Sequence, residues 1–151
     1  MPIISIRIYI SGALTNIVNS LQIKAFYESI GNLARSLELN PYIPHINSDP
    51  IANPNLTPQE VFELDKHQVE LADLVIAYVG VPSLGVGMEL AYAETQNTPI
   101  ILLYEKGKQI SRFPRGIPTK IAEIQFEDYE DALIQLKAVL QQWQRNQLSK
   151  G

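Results

Sequence analysis

Short apolar runs alternate along the chain with longer segments in which apolar side chains recur every three or four residues. Residues 3–10 are rich in isoleucine and stop before Gly12, a pattern typical of a strand followed by a turn. Residues 20–39 have the spacing of an amphipathic helix. Residues 74–79 and 99–104 are continuously apolar, which predicts strands that are buried on both faces of a parallel sheet.

A second helix is predicted to begin after Thr57. This residue is a suitable N-cap, Pro58 is favourable at the first helical position, and Glu60 is placed to complete a capping box. We expect this helix to run to about residue 71. A third helix is expected at residues 85–95.

Strands and helices therefore alternate over the whole sequence. A short strand at residues 42–43, another at 124–126 and a closing helix at 128–146 complete the pattern. It predicts a single α/β domain over residues 1–151. The expected architecture is a doubly wound parallel sheet of about five strands with helices on both faces, a Rossmann-like or flavodoxin-like three-layer sandwich.

Two long segments have no periodicity. Residues 44–58 are interrupted by prolines, and residues 105–119 are rich in Lys, Gly and Arg. Ligands of parallel α/β sheets bind beyond the carboxyl ends of the strands, where the strand order reverses. We therefore expect the first segment to be a loop over an active site at that edge, and the second to be a mobile loop.

The composition is that of an ordinary globular protein, and it excludes several kinds of function. Hydrophobic residues make up 46% of the chain and charged residues 19%. The net charge of −4, without any basic stripe, argues against binding to nucleic acid. A chain with no cysteine and two histidines is poorly supplied for thiol or zinc chemistry. We expect no metal or other cofactor, no membrane partner and a cytoplasmic location.

One carboxylate lies inside an apolar segment. Between Leu84 and Ala93, Glu89 is the only charged residue, and it follows Gly85 and Gly87. A buried, unpaired charge is costly, so such a group needs partners or a raised pKa. Each glycine costs a helix about 1 kcal/mol but leaves room for a ligand. The alternative is an ordinary glutamate on the protein surface.

Other candidate groups are expected at or near the same edge of the sheet. Asp65 is either a second catalytic carboxylate or an exposed helical residue in a surface ion pair. Tyr9 ends the first strand, where its hydroxyl can hydrogen-bond to Glu89 or the ring can merely pack. His45 can orient a ligand or have a structural role. Asp73, directly before a buried strand, fits a turn or a cap better than a catalyst.

The common nucleotide-binding motifs do not match. Gly85 and Gly87 have no third glycine at the Rossmann spacing, because Leu90 occupies that position. The sequence has no Walker loop either. Two classes of function stay open, an enzyme that uses Glu89 and a catalytically silent nucleotide-binding or sensor module, since the fold alone does not establish activity.

Several segments in the same order resemble one enzyme family. Residues 77–93 combine a buried strand, the sequence Pro-Ser-Leu-Gly-Val-Gly and then Glu-Leu followed by Ala. Residues 9–12, Tyr-Ile-Ser-Gly, and Asp65 spaced before residues 72–73, Ala-Asp, support the likeness. The chain resembles the nucleoside 2-deoxyribosyltransferase superfamily over most of its length. The likeness is strongest to the branch of 2'-deoxynucleoside 5'-monophosphate N-glycosidases.

The resemblance implies a retaining displacement at the anomeric carbon of a 2'-deoxyribonucleoside or its 5'-monophosphate. Glu89 would attack C1' and form a covalent deoxyribosyl-enzyme, Asp65 would protonate or hold the departing base, and Tyr9 would orient the nucleophile. Retaining glycosidases use two carboxyl groups about 5 Å apart in this way. Water as the acceptor gives a hydrolase and a second base gives a transferase, and both outcomes stay open.

The same resemblance implies residues that contact the substrate. Ser83 fits the monophosphate hydrolases, because the transferases have an acidic residue there. Those hydrolases carry Ser and Arg where this chain has Ala13 and Thr15, and the loss of the Arg removes a bidentate phosphate contact. We expect substrate contacts from Ser11, Gly12, His45, Ser83, Gly85, Gly87 and Ser111.

Ser111 has a further implication. It is similar to a hydroxyl that family members lend from a neighbouring subunit, which implies a homo-oligomer. Arg112 and Arg115 follow it closely and could supply the missing positive charge. The small-molecule partner is expected to be a nucleoside or nucleotide.

Overall fold

The computed structural model describes residues 5–47 and 53–150. The strands are β1 (Arg7–Ser11), β2 (Asn40–Tyr42), β3 (Leu74–Tyr78), β4 (Ile100–Glu105) and β5 (Lys120–Phe126). The helices are α1 (Ser20–Ser36), α2 (Pro44–Asn47), α3 (Pro58–Leu71), α4 (Leu84–Thr95), α5 (Arg112–Arg115) and α6 (Tyr129–Ser149). Strands and helices alternate, as the hydrophobic pattern predicts.

The strands form one parallel sheet in the order β2-β1-β3-β4-β5. This confirms the predicted fold class, a doubly wound α/β sandwich. The chain passes from β1 outward to β2 and then returns to the other side of β1 to form β3, so the strand order reverses between β1 and β3. The carboxyl ends of these two strands therefore mark the expected ligand-binding point.

Two apolar layers cover the sheet. On one face α1 and α6 contribute Phe26, Leu136 and their neighbours. On the other face α3 and α4 contribute Val69 and Leu90. Successive side chains of a strand point to opposite faces, so β1 directs its isoleucines into the first layer and Tyr9 into the second. Tyr9 thereby lies on the same side of the sheet as α4.

Differences from the predicted boundaries have local causes. β1 includes Ser11, where the sequence predicts a turn, because Ser11 pairs with Ala77 of β3. β5 begins earlier than predicted, at Lys120, since only some of the residues of this edge strand are buried and its apolar pattern is weak. Residues 3–4 of the predicted first strand lie outside the described part of the chain.

Both predicted loops contain a short helix. The segment at residues 44–58 begins with α2, and its residues 48–52 lie outside the described ranges. The segment at residues 105–119 contains α5, and Arg115 Nε of that helix binds Glu123 Oε1 of β5 at 2.7 Å. The second segment is thus attached to the neighbouring strand.

The start of α3 agrees with its predicted signals. Thr57 Oγ1 accepts a hydrogen bond from the Glu60 backbone N–H at 3.1 Å, and Pro58 occupies the first turn. The Glu60 carboxylate accepts a hydrogen bond from the Thr57 hydroxyl at 3.1 Å, where a full capping box would use the Thr57 backbone N–H. The cap fixes where α3 begins and hence where Asp65, about two turns later, is placed.

Candidate active site

The carboxyl end of β1 supplies two side chains to the α3–α4 side of the sheet. Tyr9 and Ser11 are two residues apart, so they point to the same face, and both are fully buried. Burial, followed by the nearby charge of Glu89, raises the pKa of Tyr9 well above its ordinary value. The Tyr9 hydroxyl therefore stays protonated at neutral pH and is available as a hydrogen-bond donor.

Glu89 reaches the same place from α4. The helix begins directly beyond β3, where the Ser83 side chain accepts a hydrogen bond from the Val86 N–H at 3.3 Å. Glu89 follows in the second turn and is partly exposed as a residue, but its Oε2 atom is buried. The carboxyl tip is therefore enclosed while one side of the residue still faces solvent.

The surroundings of Glu89 favour its neutral form. Burial raises the pKa of Glu89 to about 7, and the negative charge of Asp65 adds to the increase. Tyr9 and Ser11 oppose it, because their hydroxyls stabilise the charged carboxylate. Glu89 is therefore close to half ionised at neutral pH, and a pKa displaced in this way is common among groups at functional sites.

Three polar atoms at this point lack a well-formed hydrogen bond. Tyr9 Oη, Ser11 Oγ and Glu89 Oε2 are buried, and none of them completes a hydrogen bond within residues 5–47 and 53–150. The hydroxyls of Tyr9 and Ser11 are close enough to Glu89 to lower its pKa, but their geometry is looser than a hydrogen bond requires. Buried polar groups left in this state are unusual and suggest a functional site.

Asp65 approaches the same group of side chains from α3. Tyr42 Oη donates a hydrogen bond to Asp65 Oδ1 at 3.2 Å. The Tyr42 ring stacks on Tyr9 with a centroid separation of 5.5 Å. The fold thus brings together Tyr9, Ser11, Asp65 and Glu89, which are far apart in the sequence.

Sequence reasoning missed Tyr42. The sequence predicts a strand at residues 42–43, and the observed register pairs Tyr42 with Tyr9 of β1. Aromatic residues in short strands are usually part of the core, so the sequence does not mark the Tyr42 side chain as functional. Its contact with Asp65 depends on how α3 packs on the sheet, which no local pattern reveals.

Contacts between α3 and α4 support the arrangement of the two carboxyl groups. The Phe62 and Tyr92 rings meet edge to face at a centroid separation of 6.2 Å. Lys66 Nζ lies 5.0 Å from the Tyr92 ring centroid and 5.6 Å from that of Phe62. Lys66 is adjacent to Asp65, and Tyr92 lies one turn after Glu89, so this cluster restrains the distance between the helices that carry the carboxyl groups.

The glycines near the site have different surroundings. A Cβ atom at Gly85 would lie 4.0 Å from Glu89 Oε1 and 3.8 Å from Ser83 Oγ, whereas one at Gly87 would meet nothing within 4 Å. Gly85 therefore leaves open the space beside the carboxyl group. A side chain at Gly12 would overlap the ring of Tyr27, so packing alone requires glycine there.

His45 lies at the start of the segment after β2 and is buried. Its Nε2 atom is 3.2 Å from Glu28 Oε1, and its Nδ1 atom is buried without a hydrogen-bond partner in the described part of the chain. Asp73 is at the opposite edge of the sheet, where its Oδ2 accepts a hydrogen bond from the Arg7 N–H at 2.8 Å. That contact agrees with the structural role expected for Asp73.

Ser111 does not meet Glu89 within one chain. It lines a wide groove of about 1100 Å³ between α4 and the segment that contains α5. The α4 residues on this groove include Gly87 and Ala91, which lie on the other side of the helix from Glu89. Neither Glu89 nor Asp65 lines this groove, whereas Ser83 does.

The structure also describes Ala13, where this chain differs from the family it resembles, and the two arginines that follow Ser111. Ala13 is buried, and its carbonyl oxygen accepts a hydrogen bond from Tyr27 Oη at 3.0 Å. Arg115 is bound to Glu123, so its charge is already compensated, whereas Arg112 lies on the groove.

No cluster of three or more His, Asp or Glu that could hold a metal occurs in the described ranges, and none of their helices is long and apolar enough to cross a bilayer.

The chain is similar to curated relatives and to solved structures. No protein-family model matches the chain. It is 33% identical over 119 residues to a protein of Thermofilum pendens that carries the provisional name 2'-deoxynucleoside 5'-phosphate N-hydrolase 1, an alignment that covers 74% of this chain and 83% of that one. A Syntrophotalea carbinolica protein with the same name is 39% identical over 82 residues, 53% of this chain and 57% of the relative.

Solved structures show the same fold at lower identity. The CMP N-glycosidase of Clostridium botulinum is 20% identical, with a TM-score of 0.68 over 88% of this chain and 98% of that one. The 2-deoxyribosyltransferase of Bacillus psychrosaccharolyticus is 21% identical, with a TM-score of 0.64 over 84% and 90% of the two chains. The protein is thus an enzyme of the nucleoside 2-deoxyribosyltransferase superfamily. Within it, the chain belongs to the 2'-deoxynucleoside 5'-phosphate N-hydrolase family.

Proposed function

We propose that this protein cleaves the N-glycosidic bond of 2'-deoxyribonucleoside 5'-monophosphates or the corresponding nucleosides through a covalent deoxyribosyl-glutamate. The observation that carries the proposal is the enclosed Glu89 carboxyl group, which has a pKa of about 7 and lies near Asp65 and two protonated hydroxyls. The names of the curated relatives, which are N-hydrolases of deoxynucleotides, support the same bond and substrate class.

The first step forms a bond between a Glu89 carboxylate oxygen and C1' while the bond from C1' to the base nitrogen breaks. The bonding electron pair leaves with the base, which takes a proton from Asp65. The negative charge of Asp65 is one of the causes that raise the pKa of Glu89, so the two carboxyl groups are close enough to repel each other when both are charged. One ionised group and one protonated group are the forms that a retaining displacement needs.

Tyr9 and Ser11 are suited to hold the nucleophile. Each places a buried hydroxyl near the Glu89 carboxyl group, and neither has another hydrogen-bond partner among the residues described. When the substrate is bound, we propose that these hydroxyls tighten onto the Glu89 oxygen that is not attacking. Such contacts commonly shorten only in the complex with substrate.

The N-terminus of α4 is the proposed place for the 5'-phosphate. Ser83 begins the helix beside Gly85, and backbone N–H groups at a helix start favour an anion. Water as the acceptor of the sugar is favoured over a second base by the N-hydrolase names of the relatives. We therefore propose a hydrolase that acts on the 5'-monophosphates.

The decisive experiment incubates the purified protein with the four common 2'-deoxynucleoside 5'-monophosphates, their nucleosides and the matching ribonucleotides. Chromatography should show free base and 2-deoxyribose 5-phosphate from at least one deoxynucleotide. Glu89→Ala should abolish release, whereas Glu130→Ala, a change at an exposed position on α6, should leave it unchanged. Release that continues in Glu89→Ala would rule out the covalent mechanism.

The covalent intermediate can be sought directly. With a substrate whose base leaves without a proton, such as 7-methyl-2'-deoxyguanosine 5'-monophosphate, Asp65→Asn should slow only the breakdown of the sugar-enzyme adduct, because the same carboxyl group is expected to assist the attacking water. Acid quenching during turnover, followed by peptide mass spectrometry, should then locate a deoxyribose 5-phosphate on Glu89. A ligand that binds without any base release, with or without an acceptor base, would support a sensor module on the same fold.

We also propose that the protein is a homo-oligomer. Leu84 and Phe113, which both line the groove that contains Ser111, are 91% and 92% exposed, and Met88 of α4 is 49% exposed. An apolar surface of this kind on a helix that is apolar on most sides is typical of a contact with another subunit. A second copy covering the groove could bring its own Ser111 to the Glu89 side of the neighbouring chain.

A further inference from the structure

We propose that Tyr42 is a positioning residue for Asp65, and that its hydroxyl orients this carboxyl group for transfer of a proton to the departing base. This inference rests on the proposed function and adds a residue to it. Tyr42 has no place in the motifs by which the chain resembles its family. Its ring and its hydroxyl both make contacts that support a positioning role.

Tyr42 is fixed at both ends of its side chain. Its backbone belongs to β2, in register with Tyr9 of β1. Its ring stacks on Tyr9 with an interplanar angle of 21°, and its hydroxyl donates to Asp65 Oδ1 at 3.2 Å. A side chain held in this way has little freedom to lose, so its hydroxyl is a preorganised donor.

Asp65, in contrast, comes from a different layer of the fold. It is carried by α3, which packs on the sheet through other residues such as Val69. An aspartate on a helix can rotate about its side-chain bonds. The hydrogen bond from Tyr42 is a contact that ties the Asp65 carboxyl group to the sheet, and hence to Tyr9 beside Glu89.

The electrostatic surroundings agree with this role. Burial raises the pKa of Tyr42 well above its ordinary value, and the charge of Asp65 is the next cause. Tyr42 therefore keeps its proton at any pH at which the enzyme works and acts only as a neutral hydrogen-bond partner. It holds the carboxyl group in place without supplying the proton.

In the reaction, the Glu89 oxygen forms a bond to C1' as the C1'–N bond breaks. The electron pair of the broken bond goes to the base, and the Asp65 proton passes to a base nitrogen. In this first step the orientation of the Asp65 carboxyl group matters only when the base needs that proton, whereas the attack of water on the adduct comes later. A base that leaves without protonation should therefore be insensitive to Tyr42.

The test compares two substrates. One is 2'-deoxyguanosine 5'-monophosphate, or whichever monophosphate proves best, and the other is 7-methyl-2'-deoxyguanosine 5'-monophosphate, whose base already carries a positive charge and leaves without a proton. Tyr42→Phe keeps the stacked ring and removes only the hydroxyl. We expect its single-turnover rate of base release from the first substrate to fall about tenfold with little change in KM, and the same rate for the methylated substrate to be unchanged.

Two further variants fix the interpretation. Asp65→Asn should show the same dependence on the leaving group with a larger loss, and the double variant should be no slower than Asp65→Asn alone. Tyr104→Phe is the matched control, because it removes another tyrosine–carboxylate hydrogen bond, to Glu123 at 2.8 Å, which joins β4 to β5. It should retain full activity on both substrates.

Several results would contradict the proposed role of Tyr42. An equal loss on both substrates, or no loss on either, would overturn the role of Tyr42, and so would a double variant slower than Asp65→Asn. Circular dichroism melting of Tyr42→Phe guards against a folding defect, which would reduce activity on both substrates. If the wild-type protein releases neither base, the proposed function itself is wrong and the inference falls with it.

Discussion

At the scale of single residues, the main feature is a carboxyl group whose surroundings oppose its charge. Glu89 is enclosed near Asp65, and among the described residues Tyr9 and Ser11 stabilise its ionised form. A site of this kind is less stable than one with a neutral, apolar side chain, because the buried charge is not fully compensated. Such a cost is common where a group is kept for chemistry, and it leads to two predictions.

Replacement of the Glu89 carboxyl group should stabilise the protein in a pH-dependent way. The pKa of Glu89 is about 7 in the folded protein and 4.5 as the ordinary value. The folded state therefore binds the proton more tightly, and stability falls as the pH rises from about 4.5 to 7. Glu89→Gln lacks this loss, so at pH 8 it should be more stable than the wild type by at most about 3 kcal/mol.

Urea unfolding followed by circular dichroism at pH values of about 5 and 8 checks this linkage. The gain from Glu89→Gln should be clearly larger at the higher pH. Glu130→Gln, at an exposed position on α6, serves as the control and should change stability little at either pH. Equal gains from Glu89→Gln at both pH values would contradict the raised pKa.

Ser11 should influence the pH dependence of activity. The proposed nucleophile, Glu89, must be ionised to react, so kcat/KM should fall as the pH drops through about 7, the pKa of Glu89 in the free enzyme. Ser11→Ala removes a hydroxyl that stabilises the charged form, so this midpoint should move to higher pH, by roughly half a unit to one unit. Ser36→Ala, at the far end of α1, should leave the profile unchanged, and a shift to lower pH in Ser11→Ala would refute the assignment.

At the scale of elements, the loop that joins β3 to α4 sets the position of Glu89. Tyr78 at the end of β3 donates to Glu105 Oε1 at 2.7 Å, and Lys108 binds Glu105 Oε2 at 2.7 Å. Lys108 also donates to the Gly80 carbonyl oxygen at 3.0 Å. This polar cluster ties the segment after β4 to the start of the loop before α4.

Gly80 is essential to that cluster. A Cβ atom there would overlap Glu105 Oε1 and Tyr78 Oη, so Gly80→Ala must displace the hydrogen-bonded pair. We expect a loss of stability of about 1–3 kcal/mol. Gly116→Ala is the matched control, because its nearest contacts, the Arg112 and Phe113 carbonyl oxygens at 3.5 and 3.6 Å, are ordinary. The melting temperatures of the two variants, measured by thermal unfolding, test this expectation. Equal melting temperatures would show that the cluster is dispensable.

At the scale of the whole molecule, the strand order decides where the site lies, and the groove suggests how copies associate. Tyr9 and Ser11 end β1 at the reversal of strand order, and α3 and α4 bring Asp65 and Glu89 to it. Ser111 lines the groove on the other side of α4 from Glu89, and we propose that it serves the site of another chain. A homo-oligomer would therefore contain sites built from two chains.

Mixing two defective variants tests this association. Glu89→Ala lacks the nucleophile, and Ser111→Ala lacks the contributed hydroxyl. In a mixed dimer, one site combines the intact Glu89 of one chain with the intact Ser111 of the other, so mixing should restore activity well above either variant alone. Sedimentation of the wild type should show a dimer or larger assembly. A monomer, or no gain on mixing, would contradict the proposal.

The sequence by itself determined the order of elements, the parallel sheet and the identity of Glu89 as an unusual residue. Periodicity, caps and apolar runs are local properties, and they survive in any packing of the helices. The surroundings of Glu89 are not determined in this way, because they depend on how α3 and α4 pack against β1. This packing places Glu89 near Asp65 and Ser11. It also brings Tyr42 to Asp65 and keeps Ser111 on a separate groove. These contacts join residues that are distant in sequence, so only the tertiary structure could decide them.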